Sequence, residues 1–113
     1  MMTIRETAAS LGCEIVQGEF VDAPLAGAYT SDLLSDVMAN AKSGGALITI
    51  QAHKNTVAVA TLASIAAIIV CSSRPIPDDM IEAAKDEGVA ILRTAESQFV
   101  VSGRLYALLG NPE

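Results

Sequence analysis

Tryptophan is missing from this 113-residue chain, and there are only two Phe, two Tyr, one His and two Cys. So few aromatic side chains exclude a core built on large rings. Hydrophobic residues still make up 51% of the chain, and the mean hydropathy is +0.44. The core must therefore be aliphatic and rich in alanine, which speaks against disorder. Small side chains let helices sit close to a sheet, so an α/β layer structure is expected rather than an aromatic-rich sandwich.

Positive charge is also scarce. Seven Lys and Arg face 13 Asp and Glu, for a formal net charge of -6, and the cations are scattered. Binding to nucleic acid or to an anionic membrane surface depends on clustered Lys and Arg, so neither is expected. Cys13 and Cys71 cannot supply the four ligands of an iron–sulfur cluster. With one histidine and no Cys or carboxylate pair at ligand spacing, no metal and no cofactor is expected. The two cysteines read as buried thiols of a reducing compartment. The start, MMTIRETAASLG, has no apolar h-region, so no signal peptide is expected. The apolar stretch from Val57 to Cys71 is broken by Thr61 and Ser64. It falls short of the roughly 18–20 residues that span a bilayer. The expected location is the cytoplasm. Phosphate-binding glycine loops and the Gly-x-Ser-x-Gly elbow are absent as well.

What is present is alternation. Thr3 and Glu6 form a capping box for a helix from Ile4 to Leu11, stopped by Gly12. Cys13 to Gln17 and Leu25 to Tyr29 are short strand candidates. Ser31 reads as the cap of a helix from Asp32 to Ala41, with Leu33, Leu34, Val37 and Met38 as its apolar stripe. Ala46 to Ile50, Ala67 to Cys71 and Val89 to Leu92 carry almost no polar alternation. They should be strands buried on both faces, as in a parallel sheet. Between them lie a helix from Asn55 to Ser64, expected to be largely covered, and one that starts after Pro77 and ends near Glu87 before Gly88. A last helix, Ala95 to Leu109, is capped by Thr94, with Phe99, Val100, Gly103, Tyr106 and Ala107 facing inward. The single domain 1–113 should therefore be α/β, a three-layer sandwich with a mostly parallel central sheet.

In an open parallel sheet, ligands bind beyond the carboxyl ends of the strands. That rule would gather Ser31 and Asp32, then Gln51, His53 and Asn55, then Ser72 and Ser73, on one edge. Helix N-termini there suit an anion. Helix caps by themselves also explain Ser31, Asn55 and Thr94.

The run TSDLLSDVMANAKSGGALITIQAHKNTVAVATLASIAAIIVCSS, together with Val101 to Leu109, resembles the DRTGG domain family in its small stand-alone form. Ser31 to Met38 and Gln51-x-His53-x-Asn55 are the most specific parts. The letters D-R-T-G-G do not occur, and Gly44-Gly45 is their nearest trace. The resemblance implies the fold of the N-terminal domain of HPr kinase/phosphorylase, and an accessory or regulatory role without kinase activity. The resulting expectation is a non-catalytic, ligand-sensing homodimer that binds a nucleotide or small anionic metabolite at the carboxyl edge. The alternative is a protein-interaction or assembly subunit, hydrogenase-associated, without a small ligand. An enzyme using His53 as general base is the third reading, and it lacks a partner group in the sequence.

Overall fold

Thr3 opens the first helix as its capping box predicts. In the computed structural model, which describes residues 1–110, the Thr3 hydroxyl accepts from the Glu6 N–H. The Glu6 carboxylate accepts in turn from the Thr3 N–H. Helix α1 runs Ile4–Leu11 and ends on a left-handed Gly12. Strand β1, Glu14–Gln17, follows. An irregular stretch through Pro24 leads to strand β2, Ala28–Thr30, and helix α2, Leu34–Asn40. The alternation is then regular: β3 Ala46–Thr49, α3 Lys54–Leu62, β4 Ala67–Val70, α4 Asp78–Glu87, β5 Ala90–Arg93 and α5 Gln98–Leu108.

The five strands form one sheet in the order β1-β5-β4-β3-β2. Strands β2 to β5 are parallel, while β1 joins β5 antiparallel with a register shift between Ile15 and Gln17. Alternate residues of the apolar strands feed two cores. Ile48, Ile69 and Leu92 pack with Ile4, Ala8 and Leu11 of α1 and with Val101 and Leu105 of α5. Leu47, Ile68 and Ile91 pack with Val37, Val57, Ala60, Met80 and Ala84 from α2, α3 and α4. The expected three-layer α/β/α sandwich is therefore present. From β2 to β5 the strand order advances steadily in one direction. Right-handed crossovers then place α2, α3 and α4 on the same face, and α5 crosses to the other. Glycine is required where β2 and β3 begin: a Cβ on Gly45 would lie 2.8 Å from the Gly27 carbonyl oxygen. Among the described residues no helix is long and apolar enough to cross a membrane.

Three helices differ from their sequence expectation. Helix α2 starts at Leu34, not Asp32, and its N-cap residue Leu33 offers no side-chain bond. Of the expected stripe only Val37 is buried, while Leu33 is 65% and Met38 46% exposed. Asp32 is held outside the helix by bonds to the neighbouring strand, described below. Helix α3 is covered on one side only. Thr56, Val57 and Ala60 face the sheet, and Leu62 is 72% exposed. Helix α5 is capped by Ser97, whose Oγ accepts from the Val100 N–H, and Thr94 precedes it. Its buried residues are Val101 and Leu105, whereas Phe99 and Tyr106 are 88% and 58% exposed. This helix is apolar on both sides, so its period alone could not choose the inward one. Its cap, and its seat over β2 and β3, set the rotation.

Candidate functional site

Four parallel strands send their carboxyl ends to one edge of the sheet, so the loops after β2, β3, β4 and β5 meet there. Asp32 sits at the centre of the β2 end. Its Oδ1 accepts from the Thr49 hydroxyl at 2.8 Å, the Ile50 N–H at 2.9 Å and the Gln98 side-chain amide at 3.0 Å. One carboxylate oxygen thus joins the β2 loop, the end of β3 and the first turn of α5. Burial pushes the Asp32 carboxyl up, but the bonds from Ile50, Thr49 and Gln98 and the nearby charge of Arg74 outweigh it. The group is held below its ordinary value.

Ser31 lies beside it. Its Oγ accepts from the Leu33 N–H at 3.2 Å, a local turn rather than the helix cap expected of it. The hydroxyls of Ser31 and Tyr29 and the Asn40 amide lower the Asp36 carboxyl, and Asp36 in turn raises the Tyr29 phenol. Gln51 is exposed. Its N–H donates to the Thr49 hydroxyl, and its carbonyl accepts from the Thr56 hydroxyl at 2.8 Å, which folds the strand end into the following helix.

His53 is the N-cap of α3. Its Nδ1 accepts from the Asn55 N–H at 3.0 Å, and the residue is exposed. The roles of the two residues are therefore exchanged relative to expectation: His53 caps and Asn55 is capped. Asn55 also lines a groove of about 490 Å³ between α3 and α4, with Lys54, Leu62 and Asp86, which places it beside a different surface from Asp32.

Ser72 and Ser73 both adopt left-handed backbone, with φ of 60 and 52 degrees. For residues with a Cβ that conformation costs about 1–3 kcal/mol each. Main-chain bonds offset it. The Ser72 N–H donates to the Glu96 carbonyl and the Ser73 N–H to the Thr94 carbonyl, both at 2.9 Å. The Arg93 guanidinium donates to the carbonyls of Ser73 at 2.8 Å and Arg74 at 3.0 Å. The segment from Thr94 to Ser97 is thus a strap. It leaves β5, is bonded to the β4 loop on its way, and delivers Gln98 to Asp32.

The seven expected residues therefore divide. Asp32, Ser31 and Gln51 gather at the ends of β2 and β3, with His53 at the start of α3. Ser72 and Ser73 are pinned to the strap, and Asn55 turns toward the α3–α4 groove. Gln98 and Thr49 were missed. Placing the helix cap at Ser97 instead of Thr94 would have brought Gln98 into the first turn at this edge. Cys71 is buried and Cys13 half-buried, where two buried thiols were expected. Burial pushes the Cys71 thiol up to about 11 and also raises Cys13, against the lowering charge of Arg104. Neither is poised as a nucleophile. Among the described residues no three of His, Cys, Asp and Glu stand where they could hold a metal ion.

A family profile described as "HPr Serine kinase N terminus" matches residues 47–109. Among solved structures, a similar one is that of the CBS and DRTGG domains of the regulatory region of Clostridium perfringens pyrophosphatase, complexed with the activator diadenosine tetraphosphate. It aligns with a TM-score of 0.73 at 14% identity, over 92% of this chain and 46% of that one. At that identity the likeness shows the fold, and this chain spans less than half of the solved chain. No curated protein matches the sequence.

Proposed function

This chain belongs to the family of the HPr serine kinase N terminus, and from that premise we propose that it is a non-catalytic regulatory domain that senses a small ligand. The whole chain, 1–113, is read as one such domain. Its ligand is a nucleotide or small anionic metabolite, bound at the carboxyl edge of the sheet. The observation that carries the reading is the Asp32 junction, where the β2 loop, the end of β3 and the start of α5 are joined through one oxygen. A ligand that contacts Asp32, Gln51 or His53 touches at once the strand ends and the strap that positions α5. Arg74 supplies positive charge close to Asp32. The solved pyrophosphatase region of the same fold is regulatory and was captured with a nucleotide activator, which supports the ligand class.

Thermal denaturation of the full chain with diadenosine tetraphosphate, AMP, ATP and acetyl phosphate tests this. A ligand present at 100 times its Kd stabilises the folded state by about 2.7 kcal/mol, a rise of several degrees in Tm. Gln51→Ala and His53→Ala should each weaken that ligand at least tenfold. No stabilisation at millimolar concentration, or stabilisation untouched by both substitutions, would sink the site.

The second reading is an assembly subunit without a small ligand, of the hydrogenase-associated kind that the sequence resemblance implies. The exposed apolar side chains of Leu33, Leu62 and Phe99 favour it. Affinity capture from a native extract would return a stoichiometric protein partner, and alanine at these positions would release it.

A further inference from the structure

The sheet has two edges, and only one is guarded. Strand β1 ends its pairing with a register shift at Ile15 to Gln17 and carries the charge of Glu14. Bulges and charges are the devices by which proteins stop an edge from pairing again. Strand β2 has neither. Ala28, Tyr29 and Thr30 are uncharged and match β3 residue for residue.

The main chain of β2 is open on its outer side. Gly27 accepts from the Ala46 N–H, and the Ser31 N–H donates to the Ile48 carbonyl, so alternate residues from Gly27 through Ser31 address β3. The same alternation turns the N–H and C=O of Ala28 and Thr30 outward, and both residues are exposed. On one face of the strand the exposed Tyr106 and the half-buried Leu109 of the α5 region line a hollow of about 210 Å³ with Ala28, Thr30 and Ser102. On the other, the Tyr29 hydroxyl bonds to Asp36 and so ties α2 to the strand. That helix carries Met38, and Leu33 stands at its start.

We propose that the β2 edge pairs antiparallel with the β2 edge of a second copy of this chain, so that one sheet continues through both. The occupant follows from the geometry of the outward groups. With the two-fold axis at Tyr29, Ala28 of one copy stands opposite Thr30 of the other. Each exchanges both main-chain bonds with its opposite, on both sides of the axis. Such a patch is self-complementary, as an isologous contact requires. The net charge of -6 on each copy opposes association, and the Asp36 carboxylate on the Tyr29 hydroxyl adds to that repulsion, but the strand residues Ala28, Tyr29 and Thr30 are themselves uncharged. Pairing over so short a strand is not enough alone, since a stable interface buries about 800 Å² on each partner. Tyr106 provides apolar area beside the strand. Met38 on α2 and Leu33 at its start are exposed, on the helix that Asp36 ties to Tyr29. The proposal takes up the homodimer expected from the sequence and names its surface. A monomer would end both, whereas a dimer formed elsewhere would end only this one.

Light scattering of the full chain at 100 micromolar should give twice the 11.7 kDa mass. In hydrogen exchange read by NMR, the amides of Ala28 and Thr30 should be protected in that dimer, although a lone chain leaves them facing water. Ala28→Pro removes an outward donor on each side of the axis, at an edge position where proline is tolerated. It should raise the dimer Kd at least tenfold. Ala28→Lys keeps the main chain, serves where the proline variant does not fold, and should weaken the dimer in the same direction. A strict monomer overturns the proposal. So does a dimer whose Ala28 and Thr30 amides exchange freely, one indifferent to both substitutions, or protection that appears only when a different protein is added.

Discussion

The β1 and β2 ends of the sheet are made by opposite means. At the β1 end the strand is antiparallel and bulged, and it is fastened by side chains. Gln17 is buried, and its amide donates to the carbonyls of Val89 and Glu19 while its oxygen accepts from the Glu19 N–H. Glu14 approaches Arg93 at 3.8 Å, and Arg5 lies over the Phe20 ring at 4.7 Å. At the β2 end the strand is parallel and unbulged, and it is fastened through Asp32 to groups from β3 and α5. The charges at β1 are exposed, and pairs of that kind contribute about 0–1 kcal/mol. Their effect is to deny the edge a partner more than to stabilise it. Strand β2 itself carries no charged residue, its nearby carboxylates Asp32 and Asp36 are taken up in hydrogen bonds, and its neighbouring helices show apolar side chains to solvent.

Substitutions can break or sharpen this contrast. The largest effect should come from the sheet that both ends share. Ile68 is fully buried at the centre of β4, and Ile68→Ala should cost about 2–5 kcal/mol. Guanidinium denaturation followed at reporters near β1 and near β2 should show the same loss at both. A loss confined to one reporter would mean that the ends unfold independently. Next comes Gln17→Ala, which strips partners from the Val89 carbonyl and the Glu19 N–H. The expected loss is about 1–3 kcal/mol, with faster amide exchange along β1 and β5 and none along β2. Equal acceleration at both ends would refute a local role. The smallest effect is at Asp32. Its folded pKa lies below the ordinary value, so the stability it adds is fully present above about pH 4. That stability is lost as pH falls through the folded pKa. Asp32→Asn should flatten this part of the acid denaturation curve, and a variant curve parallel to wild type would mean that the charge plays no part there.

Much of the fold was legible because local rules agree with the tertiary outcome. Thr3 and Glu6 mark the start of α1, Gly88 ends α4, and the apolar runs at Ala46, Ala67 and Ala90 are strands buried on both faces. The candidate site was legible only in part. Strand alternation located the carboxyl edge and named Asp32, Gln51 and His53, but not the local bonds that hold them there. Asp32 was read as the first residue of a helix, yet bonds to Thr49, Ile50 and Gln98 keep it out of α2. Asn55 was read as the helix cap, whereas the His53 imidazole does the capping. Ser72 and Ser73 gave no signal of left-handed backbone, since no glycine marks the turn.

By itself the sequence determined which segments pair as a buried parallel sheet, because runs without polar residues at β3, β4 and β5 can hide only between two layers of helices. The tertiary structure alone decided which side of α5 faces inward and which loops touch. Asp32 and Gln98 are 66 positions apart in the chain. Their contact depends on the strap from β5 bringing α5 over β2. Periodicity reports what a helix can bury, whereas strand order and crossover direction settle what it meets.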